Sequence, residues 1–286
     1  MKCPICDLEK NFENFTCSDA LCLKPKFGVF RYFENDFYQR LKTYETTFVE
    51  VREKEGLRIK NKAIYNELPF VDAVKYRGGW ADKAIDLKII SQLVKGVAPK
   101  VRALNFGSYN GWLSNHLVKL GYETTAAGYF IDEFDGLGSC QFYHNSWTSI
   151  QMDIEKHINK LDGQFDLIVL NRGVAFMTDL ESTLKNLIAK LSDGGILIVT
   201  GVKIFKKEDK AKKAFDKHLN RYKKQHGFNL MFKELKGYLN GNDFEMMKSL
   251  GLNFKTFPGK HLANLRSMFM RTKPLQYYAY FKILND

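Results

Sequence analysis

The stretch "LNFGSYNGWLS", residues 104–114, decides how the rest of the chain is read. An apolar run ends in a bend, Gly107-Ser108-Tyr109-Asn110-Gly111, and the residues after it open a helix. That order describes a strand, a tight glycine turn and a helix N-terminus. In an open parallel sheet the first such turn lies at the carboxyl ends of the strands, where ligands bind. Gly107 lets the backbone bend, and Gly111 lets the helix begin close to a ligand. A ligand-free bend needs similar residues, so the glycines alone do not choose between the two.

Outward from the turn, strands and helices alternate from residue 101. "VRALNF" reads as a strand, "WLSNHLVKLG" as a helix and "YETTAAG" as a second strand. A third strand lies within "SWTSIQM", and "FDLIVLN" is a fourth. "LESTLKNLIAKL" reads as a helix and "GGILIVT" as a fifth strand. "NFKTF" and "QYYAYFKIL" complete the sheet with an antiparallel edge. The expected fold is α/β: a doubly wound, Rossmann-like, mostly parallel seven-stranded sheet with helices on both faces.

Ahead of the sheet, Phe37, Leu41, Tyr44, Phe48 and Val51 recur at helical spacing. The loop "YNELPFVDAVKYRGGW" follows, and a helix from about Asp82 to Lys95 leads into the first strand. Tyr65, Phe70 and Trp80 either line a lid over the pocket or pack against the first helix. The expected organisation is a cysteine-rich module over 1–35, a linking helix and lid segment over 36–81, and the main domain over 82–286. A basic helical insertion falls at about 203–240.

The chain has 286 residues, 45% hydrophobic and 27% charged, the composition of a soluble globular protein. No apolar run reaches the roughly 18–20 residues that span a bilayer. "MKCPICDLEK" lacks the apolar core of a secretory signal, so the cytoplasm is the expected compartment. A formal charge of +12 favours acidic partners without naming them.

Cys3, Cys6, Cys17 and Cys22 give the spacing C-x2-C-x10-C-x4-C. Two thiolate pairs close a tetrahedral zinc site with no open position, so the expected metal is structural zinc in a ribbon-like module. Four reduced thiols in a small hairpin are the alternative. Cys140 has no partner in sequence and reads as a small buried residue.

Taken together, "YNELPFVD", "LNFGSYNGWLS", "DEFDGLGS", "FDLIVLN" and "LSDGGILIV" resemble a family of bacterial class I S-adenosylmethionine-dependent methyltransferases, of the methyltransferase type 11 kind. Members carry a short cysteine ribbon before the catalytic domain. The resemblance runs from "CPIC" to the terminal strand, and "NGWLS" followed by "DGLG" is its most specific part. It implies S-adenosylmethionine as cofactor and methyl transfer as the activity, with the acceptor left open.

Carried across, Gly107, Ser108, Tyr109, Asn110 and Gly111 occupy the cofactor turn. Asp153, with Ile154 after it, matches the acidic position beside the adenine amine, and Asn171 faces the methionine part of the cofactor. Three positions depart from the pattern. Asn105 stands where an acid is usual, Tyr109 replaces a glycine, and Gly128 occupies the place of the carboxylate that grips the ribose. Asp132, Glu133 or Asp135 reach back to supply that carboxylate, or form a solvated acidic turn. Tyr109 either stacks on a ligand or plugs the pocket.

Methyl transfer from a sulfonium mainly needs alignment, so no universal catalytic residue is expected. His144, in "FYHN", reads as a general base or as an ordinary surface or core histidine. Residues 206–224, "KKEDKAKKAFDKHLNRYKK", place Ala211, Ala214, Phe215, His218, Leu219 and Tyr222 on one stripe with lysines elsewhere. Such a helix contacts nucleic acid, an anionic saccharide or a membrane surface, or is a solvated lysine face. Sparse aromatic interleaving argues against nucleic acid. A small-molecule or saccharide acceptor is expected. The competing reading is a degenerate, non-catalytic member of the same fold that serves as a binding or scaffold module.

Overall fold

The apolar runs picked out in the sequence become strands in the structure, a computed structural model that describes residues 4–5, 21–95, 102–270 and 273–283. The chain divides into two units, Met1–Leu167 and Ile168–Asp286. The first opens with a hairpin of β1 (Cys22–Lys26) and β2 (Val29–Tyr32), then α1 (Asn35–Lys54) and α2 (Trp80–Leu93). β3 (Arg102–Phe106), α3 (Trp112–Lys119), β4 (Glu123–Gly128), β5 (Thr148–Met152) and the short α4 (Ile154–His157) follow. β6 (Phe165–Asn171) contains the boundary between the units.

Strands of the first unit lie in the order β1-β2-β5-β4-β3. The β2–β5, β5–β4 and β4–β3 pairs are parallel, and β1 runs antiparallel to β2. Ala103, Leu104, Phe106, Ala126, Ala127 and Ile150 are fully buried, as expected of strands covered on both faces. This is a Rossmann-like α/β arrangement, mostly parallel in this unit.

The second unit contains α5 (Leu180–Ala189), β7 (Leu191–Ile204), α6 (Glu208–His226) and α7 (Gly241–Ser249). β8 (Asn253–Thr256), α8 (His261–Met270) and β9 (Leu275–Lys282) complete it. β7, β9 and β8 are neighbours in that order, and both pairs are antiparallel. Ile198, Val199 and Ala279 form the buried centre of this ladder.

Nine strands are present among the described residues, not the expected seven. The two additional ones are the hairpin that the sequence reading gave to the separate 1–35 module. Phe30 pairs with Ile150, so the hairpin is an edge of the sheet. Its own composition explains this: Val29, Phe30 and Tyr32 are buried, and an isolated two-stranded hairpin cannot bury them. Cys3, Cys6 and Cys17 lie outside the described residues, while Cys22 opens β1 and is half-buried. Among the described residues there is no group of three or more metal-ligating side chains. No described helix is long and apolar enough to cross a membrane.

The stripe on α6 is narrower than its spacing predicts. Ala211 and Tyr222 are buried, Phe215 and Leu219 half-buried, and Ala214 and His218 exposed. Phe215 is seated by Gly237, where a Cβ would come within 1.9 Å of the ring.

On α1, Phe37, Leu41 and Val51 are buried, while Tyr44 and Phe48 are half-buried against Phe130, Phe48 at 5.1 Å between ring centres. Apolar spacing did not reveal Glu45, which shares the buried face. Its carboxylate accepts hydrogen bonds from the backbone N–H groups of Ile131 and Asp132, the latter at 2.7 Å. Burial pushes the Glu45 carboxyl up to about 7, from 4.5.

The folded chain therefore keeps this proton over a range where the unfolded chain has lost it. Stability from this group is full below about pH 4.5 and is lost as pH rises toward about 7, on the order of 3 kcal/mol at most. Glu45→Gln keeps a carbonyl acceptor and removes the titration. Urea unfolding is expected to find this variant more stable than the parent at about pH 8, with the difference vanishing near pH 4.

Candidate functional site

β3 ends in the turn 107–111, and two glycines make it possible. Gly107 and Gly111 have φ of 75° and 76°, a left-handed conformation that side chains resist. Gly111 is also closed in from outside, since a Cβ there would lie 2.6 Å from the Trp147 ring. Asn105, at the position where an acid is usual, ties the turn to the helix. Its Nδ2 donates to Ser108 Oγ at 3.1 Å and to Ser114 Oγ at 2.9 Å.

The turn is pressed onto the end of β4. Ser108 N–H donates to Ala127 O at 2.8 Å. A Cβ at position 128 would lie 2.2 Å from Ser108 O. No side chain fits there, which is the steric reason for a glycine at position 128. Position 128 offers a ligand its backbone only.

Asn110 is buried, and its carbonyl accepts from Ser139 Oγ at 2.8 Å and from Tyr143 Oη at 2.7 Å. Its side-chain Oδ1 is buried and accepts no hydrogen bond. An acceptor left unpaired in a glycine turn is one that a donor-bearing ligand or a water molecule would satisfy.

Tyr109 is half-buried, with the Arg52 guanidinium 5.1 Å from its ring centre and Phe130 edge-on at 5.9 Å. Its hydroxyl is buried near Asp135 without a hydrogen bond of ordinary geometry. Burial, and then the Asp135 charge, hold the phenol well above its usual pKa. Arg52, delivered by α1, is itself paired with Asp135, through Nε to Oδ2 and through Nη2 to Oδ1 at 3.1 Å. The ring is therefore packed into the protein.

The three acids suggested as substitutes for the ribose clamp have partners. Asp132 accepts from Arg58 Nε at 3.1 Å and Nη2 at 2.9 Å, and from the N–H groups of Phe134 and Asp135 at 3.0 and 2.8 Å. Burial alone would raise this carboxyl, but the Arg58 bonds outweigh it and hold it below the usual range. Asp132 thus organises its own loop. Asp135 is held by Arg52, and half-buried Glu133 lies 3.8 Å from Lys62.

Asp153 is 7% exposed and stands at the N-terminal boundary of α4 without a side-chain capping bond, and Ile154 after it is buried core. The Tyr129 hydroxyl lies 3.0 Å from Asp153 Oδ1 and 3.2 Å from Glu155 Oε1, one proton facing two carboxylates. Gln151 Nε2 donates to Tyr129 O at 2.8 Å. Gly128 is in register with Gln151, so the end of β4 and the acid after β5 are neighbours. Tyr129 escaped the sequence reading because nothing distinguishes it there except its place beside Gly128.

Asn171 belongs to the second unit, where its Nδ2 donates to Thr200 Oγ1 at 2.6 Å. The next residue, Arg172, is in the left-handed region with φ of 56°. Its N–H donates to Thr200 O at 3.1 Å, and Gly201 makes room for its stem, since a Cβ there would lie 2.5 Å from Arg172 Cγ. Long side chains rarely adopt this conformation, and such residues cluster at functional sites. Sequence carries no signal for it.

His144 is exposed, with its backbone N–H held by Asn66 Oδ1 at 3.0 Å. The segment expected to be a lid or a packed element is packed around Tyr65. That side chain is fully buried and donates to Ile59 O at 2.8 Å and to Phe134 O. Trp80 is also buried, whereas Phe70 is 59% exposed.

Residues 73–249 match the model of a family described as methyltransferase domain. No curated protein matches the sequence. Among solved structures, the chain is similar to the N-methyltransferase NodS from Bradyrhizobium japonicum WM9, at 14% identity and a TM-score of 0.45, over 72% of this chain and 98% of that one. It is similar to magnesium protoporphyrin IX methyltransferase (ChlM) from Synechocystis PCC 6803 with bound SAH, at 13% identity and a TM-score of 0.49, over 86% and 100% of the two chains. The plantazolicin methyltransferase BpumL, in complex with a desmethylPZN analog and SAH, gives 13% identity and a TM-score of 0.49 over 86% and 99%. Identities this low leave each neighbour's acceptor its own.

Restoring the missing acid tests the steric account of position 128. Gly128→Asp is expected to lower stability by at least about 1–3 kcal/mol, because the clash is with backbone. Chemical denaturation checks this; an unchanged midpoint would remove the explanation.

Proposed function

The chain belongs to the methyltransferase domain family, and from that premise we propose that it transfers a methyl group from S-adenosylmethionine to an acceptor. The acceptor is a small molecule, saccharide or other anionic compound. The compartment proposed is the reducing cytoplasm, where clustered thiols persist.

The observation that supports cofactor binding is the turn 107–111: two left-handed glycines beside a buried Asn110 Oδ1 that accepts nothing. In this reading Gly107, Ser108, Asn110 and Gly111 hold the cofactor by backbone and amide groups, with Tyr109 as a wall. Gly128 meets the ribose edge through its backbone, Asp153 and Ile154 lie at the adenine, and Asn171 at the methionine part. Bound S-adenosylmethionine supplies a methyl group on a positively charged sulfur, a leaving group that is already activated. The protein's share is alignment and exclusion of water. Tyr129 holds the Asp153 carboxylate in place, and Thr200 fixes the Asn171 amide.

A second reading, a non-catalytic binding module, is favoured by the Tyr109 ring packed under Arg52 and by the absence of a carboxylate at 128. Calorimetric titration with S-adenosylmethionine and S-adenosylhomocysteine separates the two. Saturable binding below the millimolar range is expected. Asp153→Asn should weaken it about tenfold, the scale of one charge-assisted hydrogen bond. Millimolar or absent binding to both compounds leaves the second reading standing.

Zinc remains a structural proposal for Cys3, Cys6, Cys17 and Cys22, a four-thiol donor set suited to a closed tetrahedral site. About one zinc per chain is expected from metal analysis of the purified protein.

A further inference from the structure

The segment after β7 leaves and rejoins the second unit at one place. Phe205 N–H donates to Leu239 O at 2.8 Å, and Ile204 bridges Leu239. Between these ends, α6 runs out and a Gly227 turn, with φ of 66° and its N–H on Lys223 O at 2.8 Å, brings the chain back. Phe215 pins the first half of the helix against Gly237 and Tyr238.

Between pin and turn the returning segment stands away from the helix and leaves a cleft of ≈ 440 Å³. Leu219, Met231, Phe232 and Leu235 form its apolar lining. Lys223 and Lys233 stand with Asn220 and Asn229 among the polar lining residues, and Glu234 is the one acid there. The volume is that of a small-molecule site, and an apolar lining with a few convergent polar groups is how such sites are built. The surrounding charge is predominantly positive. Residues 206–224 contain nine Lys and Arg against three Asp and Glu, half the chain's net +12.

We infer that this cleft binds an amphipathic anion, an aryl or acyl body bearing a phosphate or carboxylate. The apolar body lies on Leu219, Met231 and Leu235, and the anion meets Lys223 and Lys233. The insertion leaves the carboxyl end of β7 within the second unit, and the binding proposed here does not depend on the methyltransferase reading.

The test uses the full chain and octyl phosphate below its micellar concentration, followed by calorimetry. Inorganic phosphate, octanoate and octyl glucoside serve as the other arms. Octyl phosphate or octanoate is expected to bind, and which binds more tightly identifies the anion as phosphate or carboxylate. Inorganic phosphate and octyl glucoside should each bind at least about tenfold more weakly, lacking one half of the ligand.

Lys223→Glu should weaken binding about tenfold or more, while Lys213→Glu, an exposed lysine of the same helix outside the cleft, should change it less than about twofold. No binding of either amphiphile, equal losses in the two variants, or inorganic phosphate binding as tightly as octyl phosphate would overturn the inference.

Discussion

The close approach of Ser108 to Gly128 constrains the whole of the first unit's site. One face of the turn is bonded to β4 through Ser108 N–H and Ala127 O, and the Ser108 carbonyl then lies where a side chain at 128 would begin. A turn seated this tightly is well defined, and it leaves no room for a side chain at 128. A neutral backbone hydrogen bond contributes about 1 kcal/mol, and a bond to a charged carboxylate about 1.5–3 kcal/mol. On the proposed reading, a cofactor here is held by backbone and amide groups, without the larger contribution of a carboxylate at 128.

The loop 130–136 is organised by α1 and the segment after it. Glu45 accepts two of its N–H groups, Arg52 takes Asp135, and Arg58 takes Asp132. Pairs this far from water owe little net stability to attraction alone, but breaking one leaves an uncompensated charge. Their effect is therefore positional. They hold Phe130 against Tyr109 and keep Asp132 and Asp135 turned to arginines. The same network explains why a glutamate sits on the buried face of α1: two backbone donors need an acceptor, and a half-neutralised carboxylate meets them.

Much of this was legible in the sequence, for identifiable reasons. Fully covered strands announce themselves as apolar runs, and β3, β4, β6 and β7 fall where "VRALNF", "YETTAAG", "FDLIVLN" and "GGILIVT" place them. What failed involved partners distant in sequence. The clustered cysteines drew the 22–32 hairpin into a separate module, although its apolar residues needed a sheet edge. Gly128 looked like an eroded motif until the carbonyl beside it was visible. Glu45 was invisible to a pattern that counts only apolar residues, and the left-handed backbone of Arg172 has no counterpart in residue type. Ala214 and His218 fit a helical stripe on paper but are exposed, while the Phe215 ring packs against Gly237.

The insertion between Ile204 and Leu239 follows a different logic from the sheet. Because its ends meet at one bridge, its length and composition can vary without altering the strands that carry it, and lengthening such a loop costs little closure entropy. Its residues 206–224 carry half the net charge, and exposed lysines on one helix raise the local concentration of anions whether or not they touch them. Diffuse attraction of that kind does not select among anions. Selection needs a surface with a shape, and the returning segment supplies one by adding Met231, Phe232 and Leu235 opposite Leu219. On the proposed reading, charge governs how fast an anion arrives, and the apolar lining governs which one stays.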